Sequence, residues 1–396
     1  MPDVISIPKK LVGLTLACSF MLTACSKIPI RSPFEKQADL ELSAVSEIEG
    51  QEETSVDIAW TKVSHRKGRH TYSKLKPIAF SQRIYSVEEG NVLKAIKISD
   101  GQELWSHQSK LHFTAGPEVI DGNLIVAARS MVLAFDLNTG QEKWRRKVSS
   151  EVLSAPKGNA GILVVQAVDG TVVALSSTNG EILWEVPQTT PSLSLRTKSS
   201  PAISGDKVLV GLSNGKIVIL NLYSGMEEWE HTLAVSRGRS ELQRLVDISA
   251  DPIIIGDIAY VVAYQGNLAA LDIRKHELLW ERKISSFQDM AFDKNSIYIT
   301  DESHNLWAID QKTGATLWKQ SQLVKRYITS PSVQGQYVVV ADRGGYIHWV
   351  DSNTGHIKGR AEMGDKFYQQ PIVSNQYVLV REYNGKLSML DTKPSQ

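Results

Sequence analysis

Ser213 lies in Gly211-Leu212-Ser213-Asn214-Gly215, the Gly-x-Ser-x-Gly spacing of a nucleophile elbow. Acyl transfer at such a serine needs a strand, a sharp turn and a helix that hold the hydroxyl exposed. Ser213 instead falls at a hairpin position, in step with Val168-Asp169-Gly170, and the match is read as chance. The nine histidines are scattered, with no His-Glu-x-x-His pair and no Cys/His cluster of zinc-binding spacing. His348 alternates with Tyr346 and Val350 as a strand residue does, and is read as packed or surface-lying rather than as a ligand. No catalytic residue and no metal or cofactor ligand is assigned, and no cofactor is expected.

Cys25 is the exception. Residues 1–26 carry Lys9 and Lys10, then an apolar run from Leu11 to Ala24, too short to span a bilayer comfortably. The run ends in Leu22-Thr23-Ala24-Cys25, which resembles a bacterial lipobox. The resemblance implies cleavage before Cys25, diacylglycerol on its sulfur, and departure of Cys18 with the signal. A mature chain with one lipidated cysteine forms no internal disulfide, so its fold must stand on its core alone. At about 0.8 kcal/mol per buried CH₂, two or three acyl chains hold such a protein to a membrane essentially permanently. Ser26 is not the aspartate that resembles an inner-membrane retention signal, so the expected location is the outer membrane, facing the periplasm. Loss of residues 1–24 removes two lysines and one aspartate from 44 basic and 43 acidic side chains, leaving the signs equal. That balance argues against a nucleic-acid binder driven by bulk charge.

The elements that must carry any site are set by a repeat. Trp105, Trp144, Trp184, Trp229, Trp280 and Trp318 are spaced 39, 40, 45, 51 and 38 residues apart, the period of a propeller. Each closes one phrase, cleanest as Ala134-Phe135-Asp136-Leu137-Asn138-Thr139-Gly140-Gln141-Glu142-Lys143-Trp144. Ala308 to Trp318 repeats it. His276 replaces the glycine in one copy, Ile219 the alanine in another, and Gly359 the tryptophan in a third. Apolar runs such as Leu163-Val164-Val165, glycine turns such as Asp169-Gly170 and Asn384-Gly385, and a proline before most units describe four short antiparallel strands in about 40 residues. Eight units start near Pro77, Pro117, Pro156, Pro201, Pro252, Met290, Pro331 and Pro371, and the eighth lacks its outer strand. Val56 to Val63, with Trp60, has the pattern to supply it and close the ring. The expected fold is all-β, an eight-bladed β-propeller of four-stranded antiparallel blades closed by an N-terminal strand, with a seven-bladed ring as the lesser option. The expected divisions are 1–24 signal peptide, 25–55 lipid anchor and tether, and 56–396 propeller.

The phrase resembles the tryptophan-docking motif of quinoprotein-type eight-bladed propellers, which implies that the six tryptophans pack between blades. With the lipobox, the chain length and Pro191-Ser192-Leu193-Ser194-Leu195-Arg196, the whole chain resembles the BamB family, lipoproteins of the outer-membrane β-barrel assembly machinery. Quinoprotein dehydrogenases share the fold but are longer, and many carry a vicinal disulfide. No Cys-Cys pair occurs here, and few acidic residues stand in loops long enough to hold calcium beside a quinone. The resemblance therefore implies a non-catalytic scaffold. An enzyme or ligand-binding propeller using its channel, and a cell-envelope interaction module, are the alternatives.

Two connections are long, Val186 to Ser200 and His231 to Asp251. Each follows the last strand of adjacent units, so both should emerge from one face. Leu193, Leu195, Leu242 and Leu245, ringed by Arg196, Arg237, Arg239, Arg244 and Asp247, have the composition of an interface core with a polar rim. The resemblance implies that these loops contact the POTRA domains of BamA, and by residue match it carries over Leu193, Leu195, Arg196 and Asp247. Ser249 stands where the family pattern has an acidic residue. Unfolded outer-membrane proteins are expected clients, and an extended segment could add to a blade's outer strand. The basic stretch Lys62, His65, Arg66, Lys67, Arg69 and His70 is read as a solvated loop.

Overall fold

The computed structural model describes residue 42 and residues 54–63, 74–88, 90–191, 193–195, 198–237, 239–241 and 243–394. Cys25, most of the tether, Arg196 and Leu242 lie outside the described residues.

Eight four-stranded antiparallel sheets follow one another along the chain. Blades 1 to 7 occupy 78–108, 115–147, 157–186, 202–232, 253–282, 291–320 and 332–362. Blade 8 is built from Ile372–Ser374, Tyr377–Arg381 and Leu387–Pro394, and its outer strand is the N-terminal Thr54–Lys62. That strand pairs antiparallel with Leu387–Pro394, with Ile58 opposite Leu390 and Trp60 opposite Met389. The ring is thus closed by the two ends of the propeller, which leaves no blade incomplete. Prolines 77, 156, 201, 252, 331 and 371 each stand immediately before an innermost strand. Pro117 instead lies within Ala115–Ile120, where the register shifts.

The repeated phrase works through a local pairing rule. In six blades a tryptophan on the outer strand lies opposite a small or branched residue: Trp105–Ala95, Trp144–Ala134, Trp184–Ala174, Trp229–Ile219, Trp280–Ala270 and Trp318–Ala308. A β-bulge follows each pair, twisting the strand and turning the indole toward the next blade. There the ring lies on the turn glycine: a Cβ at Gly314 would meet Trp280 Cδ2 at 2.7 Å, and one at Gly355 would meet Trp318 Cδ2 at 2.8 Å. These glycines have φ near +70°, so they serve both the left-handed turn and the close ring. The indole N–H then donates to the turn's backbone, for example Trp144 Nε1 to Ser177 O at 3.1 Å and Trp184 Nε1 to Leu222 O at 2.8 Å.

Trp60 extends the rule across the closure. Its ring lies against Gly101 of blade 1, and its Nε1 donates to Ile98 O at 2.7 Å. His276 takes the glycine's place in blade 5 at φ 59°, and its imidazole stacks on Trp229, centroids 5.8 Å apart and 10° from parallel. Blade 7 inverts the pair: Gly359 faces Trp349, which is fully buried and donates to Gln334 Oε1 at 2.8 Å. The inversion has a topological cause. Blade 8 has no turn from third to fourth strand, because its outer strand comes from the N-terminus, so a tryptophan at 359 would find no turn to stack on.

The apolar cores lie between blades. One joins Ile125, Val132 and Ala134 of blade 2 to Leu163, Val165 and Leu175 of blade 3. Each blade therefore needs its neighbour to bury its face.

Candidate partner-binding site

Both long connections lie on the face that carries the hairpins between second and third strands. Gln188 N–H donates to Gly170 O at 3.2 Å, and Leu233 and Ala234 N–H donate to Gly215 O at 2.9 and 3.0 Å. The loop after blade 3 crosses the blade 4 hairpin, where Asn214 Nδ2 donates to Thr189 O at 3.3 Å.

Asp247 joins the loops. Its carboxylate oxygen Oδ2 accepts the Leu195 N–H at 2.8 Å, across 52 residues. Its carbonyl accepts Tyr264 N–H at 2.8 Å from the blade 5 hairpin. Deeper in, Asp251 Oδ1 accepts Ser200 N–H at 2.7 Å. Two connections that differ in sequence and length are thereby one ridge.

Asp247 is fully buried, so its part in the site is to hold the Leu195 backbone rather than to present its charge. Burial pushes its carboxyl up to about 6, against Lys198, the Leu195 N–H and the Ser213 hydroxyl, which favour the ionised form. Lys198 is itself buried, and burial pulls its ammonium down against the attraction of Asp247. Its Nζ donates to Ser194 Oγ at 3.1 Å and to Ser213 Oγ. Ser213 is therefore buried at a hairpin, without an elbow's strand–turn–helix setting.

Leu193 is 45% exposed at the ridge, and Leu195 is half-buried beside it. Leu245 is buried rather than exposed, because it turns inward beneath its loop with Val246 and Ile248. Val235, Arg237, Arg239 and Arg244 are exposed. Ser249 is fully buried and donates to Phe287 O at 3.4 Å. Beyond it, Tyr264 and Phe287 pack edge to face, centroids 6.1 Å apart, and continue the ridge onto blades 5 and 6. Sequence reasoning missed Lys198, Tyr264 and Phe287. Their contacts are made between segments of different blades, Lys198 with the blade 4 hairpin and Tyr264 with Phe287, and no local spacing marks such contacts.

The axial channel is the rival site. A cavity of about 280 Å³ is lined by Lys74, Lys76, Lys157, Glu118, Asp251 and Asp289, among others. Its charges answer one another. Lys74 Nζ reaches across the ring from the approach to blade 1 to Asp251 at 2.8 Å and Asp289 at 2.7 Å; Lys76 also pairs with Asp289, and Lys157 pairs with Glu118 at 3.0 Å. Burial would raise the Asp289 carboxyl, but Lys74 and Lys76 hold it well below the usual carboxylate range. Among the described residues no group of three or more His, Cys, Asp or Glu side chains is placed to hold a metal ion.

His348 is fully buried in a polar chain. Its Nε2 lies 2.8 Å from Asp342 Oδ2, and Arg360 Nε donates to its Nδ1 at 3.2 Å. An arginine always donates, so Nδ1 carries the lone pair and the imidazole is neutral with its proton on Nε2.

Eight blades closed by an N-terminal strand, with tryptophans stacked on the next blade's turn, define a quinoprotein-type propeller. Quinohemoprotein alcohol dehydrogenase from Comamonas testosteroni shares that fold at a TM-score of 0.68 and 13% identity, over 85% of this chain and 76% of its own. The solved BamB of Moraxella catarrhalis superposes with a TM-score of 0.77 at 20% identity, over 85% of this chain and 100% of its own. A family model described as outer membrane protein assembly factor BamB matches residues 88–320. The outer membrane protein assembly factor BamB of Alteromonas naphthalenivorans is 30% identical over 406 residues, covering 96% of each chain. That of Escherichia coli K12 is 28% identical over 313 residues, 76% of this chain and 80% of its own. The chain belongs to the BamB family of outer membrane protein assembly factors.

Proposed function

We propose that this chain is a non-catalytic scaffold subunit of the outer-membrane β-barrel assembly complex. It docks on the POTRA domains of BamA and assists delivery and insertion of outer-membrane proteins, with unfolded clients held nearby. The observation that carries the reading is the 2.8 Å bond from Leu195 N–H to Asp247 Oδ2. It fuses two loops into one ridge with Leu193 exposed beside it. Leu193, Leu195 and Arg196 supply the contact, and Asp247 sets its shape.

Residues 1–24 act as signal peptide, Cys25 as the lipidated anchor at the periplasmic side of the outer membrane, and the residues from there to the strand that opens at Thr54 as tether, two residues shorter than the expected 25–55. Such a tether keeps the propeller at high effective concentration near the membrane. The mutually paired channel charges support a structural rather than a catalytic axis.

Membrane-extracted wild-type lipoprotein is expected to co-purify with BamA. The Leu193→Ala/Leu195→Ala/Arg196→Ala variant is expected to lose it while melting at the wild-type temperature. Wild type that captures no BamA overturns the reading.

A further inference from the structure

Lys198 and Ser213 are polar side chains buried at the base of the ridge, and neither faces solvent where a partner could touch it. They lie on different elements: Lys198 on the loop after blade 3, Ser213 on the hairpin of blade 4. Lys198 Nζ donates to Ser213 Oγ and, at 3.1 Å, to Ser194 Oγ, one residue from Leu195 and one from Leu193. On the other side, Leu195 N–H donates to Asp247 Oδ2 at 2.8 Å, and Ile248 N–H donates to Leu212 O at 3.3 Å, beside Ser213. The three side chains thus enclose the Leu193–Leu195 segment from below. Removing a buried cation from such a set leaves its carboxylate uncompensated, and a contact segment loosened by an ångström loses binding.

We propose that Lys198 and Ser213 are positioning residues for the contact segment, acting with Asp247 as a buried lock that fixes Leu193 and Leu195 in the conformation a partner meets. This rests on the reading that the ridge docks on BamA.

The lock is testable without the partner. Hydrogen exchange at the Leu195 amide reads it directly in the full-length lipoprotein. Lys198→Met and Ser213→Ala are each expected to speed that exchange at least tenfold, the scale of one lost hydrogen bond to a charged group, while amides of the blade 4 strands keep their protection. Binding to BamA's periplasmic POTRA domains is expected to weaken by a similar factor. Adding Asp247→Asn to Lys198→Met removes the uncompensated charge and keeps an acceptor for Leu195 N–H, so exchange and binding should return toward wild type. Unchanged Leu195 exchange in both single variants overturns the lock. So does a Lys198→Met/Asp247→Asn variant no better than Lys198→Met, which would reduce Lys198 to packing. Leu193→Asp serves as the control: if wild type binds, Leu193→Asp does not, and Lys198→Met binds normally, the docking reading stands and the lock alone fails. If wild type does not bind, the docking reading fails, and the exchange data still decide the lock.

Discussion

His348 shows how burial changes what a residue type means. On sequence it is one histidine on a strand. In the fold it is a neutral link between Asp342, which accepts from Nε2, and Arg360, which donates to Nδ1. Burial holds the imidazole below its ordinary value, against the pull of Asp342. The unfolded chain therefore takes up the proton first as pH falls, and the stability present at neutral pH is lost as pH drops through about 6.5. His348→Gln keeps a donor and an acceptor but does not titrate, so its melting temperature should fall less between pH 7 and pH 5 than that of wild type. Equal slopes would mean that His348 is not held neutral. Asp247 carries the complementary lesson. Its type and position were readable in the sequence, but its burial was not, because a carboxylate beside arginines reads as a rim residue until the fold shows Leu195 N–H above it. Ser213 was likewise visible for its spacing, whereas its partner Lys198 is set by how two loops cross.

The outer strand and the turn it docks on form the element that the sequence describes most fully. The alanine opposite five of the six repeat tryptophans, the bulge beyond each pair and the glycine that most of the next turns carry are three consequences of placing an indole between two blades. Where one member changes, another changes with it: His276 stacks on Trp229, and Gly359 pairs with a fully buried Trp349. A reading based on Gly359 alone shows a missing staple; the partner position shows the bulk moved across the strand pair. Gly359→Trp should therefore destabilise by about 1–3 kcal/mol, the usual cost of overpacking, despite restoring the repeat's consensus. Trp349→Ala added to it should relieve the crowding yet gain no stacking, since blade 8 has no turn to receive the ring. Thermal melts of the two variants check this, and a Gly359→Trp protein that melts above wild type would refute it.

For the whole molecule the decisive contact is between the ends. Strand Thr54–Lys62 completes blade 8, and Trp60 reaches Ile98 and Gly101 of blade 1. Trp60→Ala should cost about 3–5 kcal/mol, as large buried aromatics do, whereas Leu193→Ala on the ridge should stay within about 0.5 kcal/mol of wild type. Chemical denaturation of both separates closure from contact, and equal midpoints would contradict the division. The closure was readable because blade 8 lacked a strand and the N-terminus offered one. The charges across the channel were not, since Lys74 lies 177 and 215 residues from Asp251 and Asp289, and no local pattern links them. The same closed ring points the two loops to one face and the turns of the phrase to the other, where Tyr223 is 60% exposed. A photo-crosslinking residue placed at 193, and separately at 223, in cells that carry the full lipoprotein would test the docking face most directly. An adduct with BamA from position 193 and none from 223 is the expected result; no adduct from 193, or equal adducts from both, would contradict the assignment of the ridge as the docking surface.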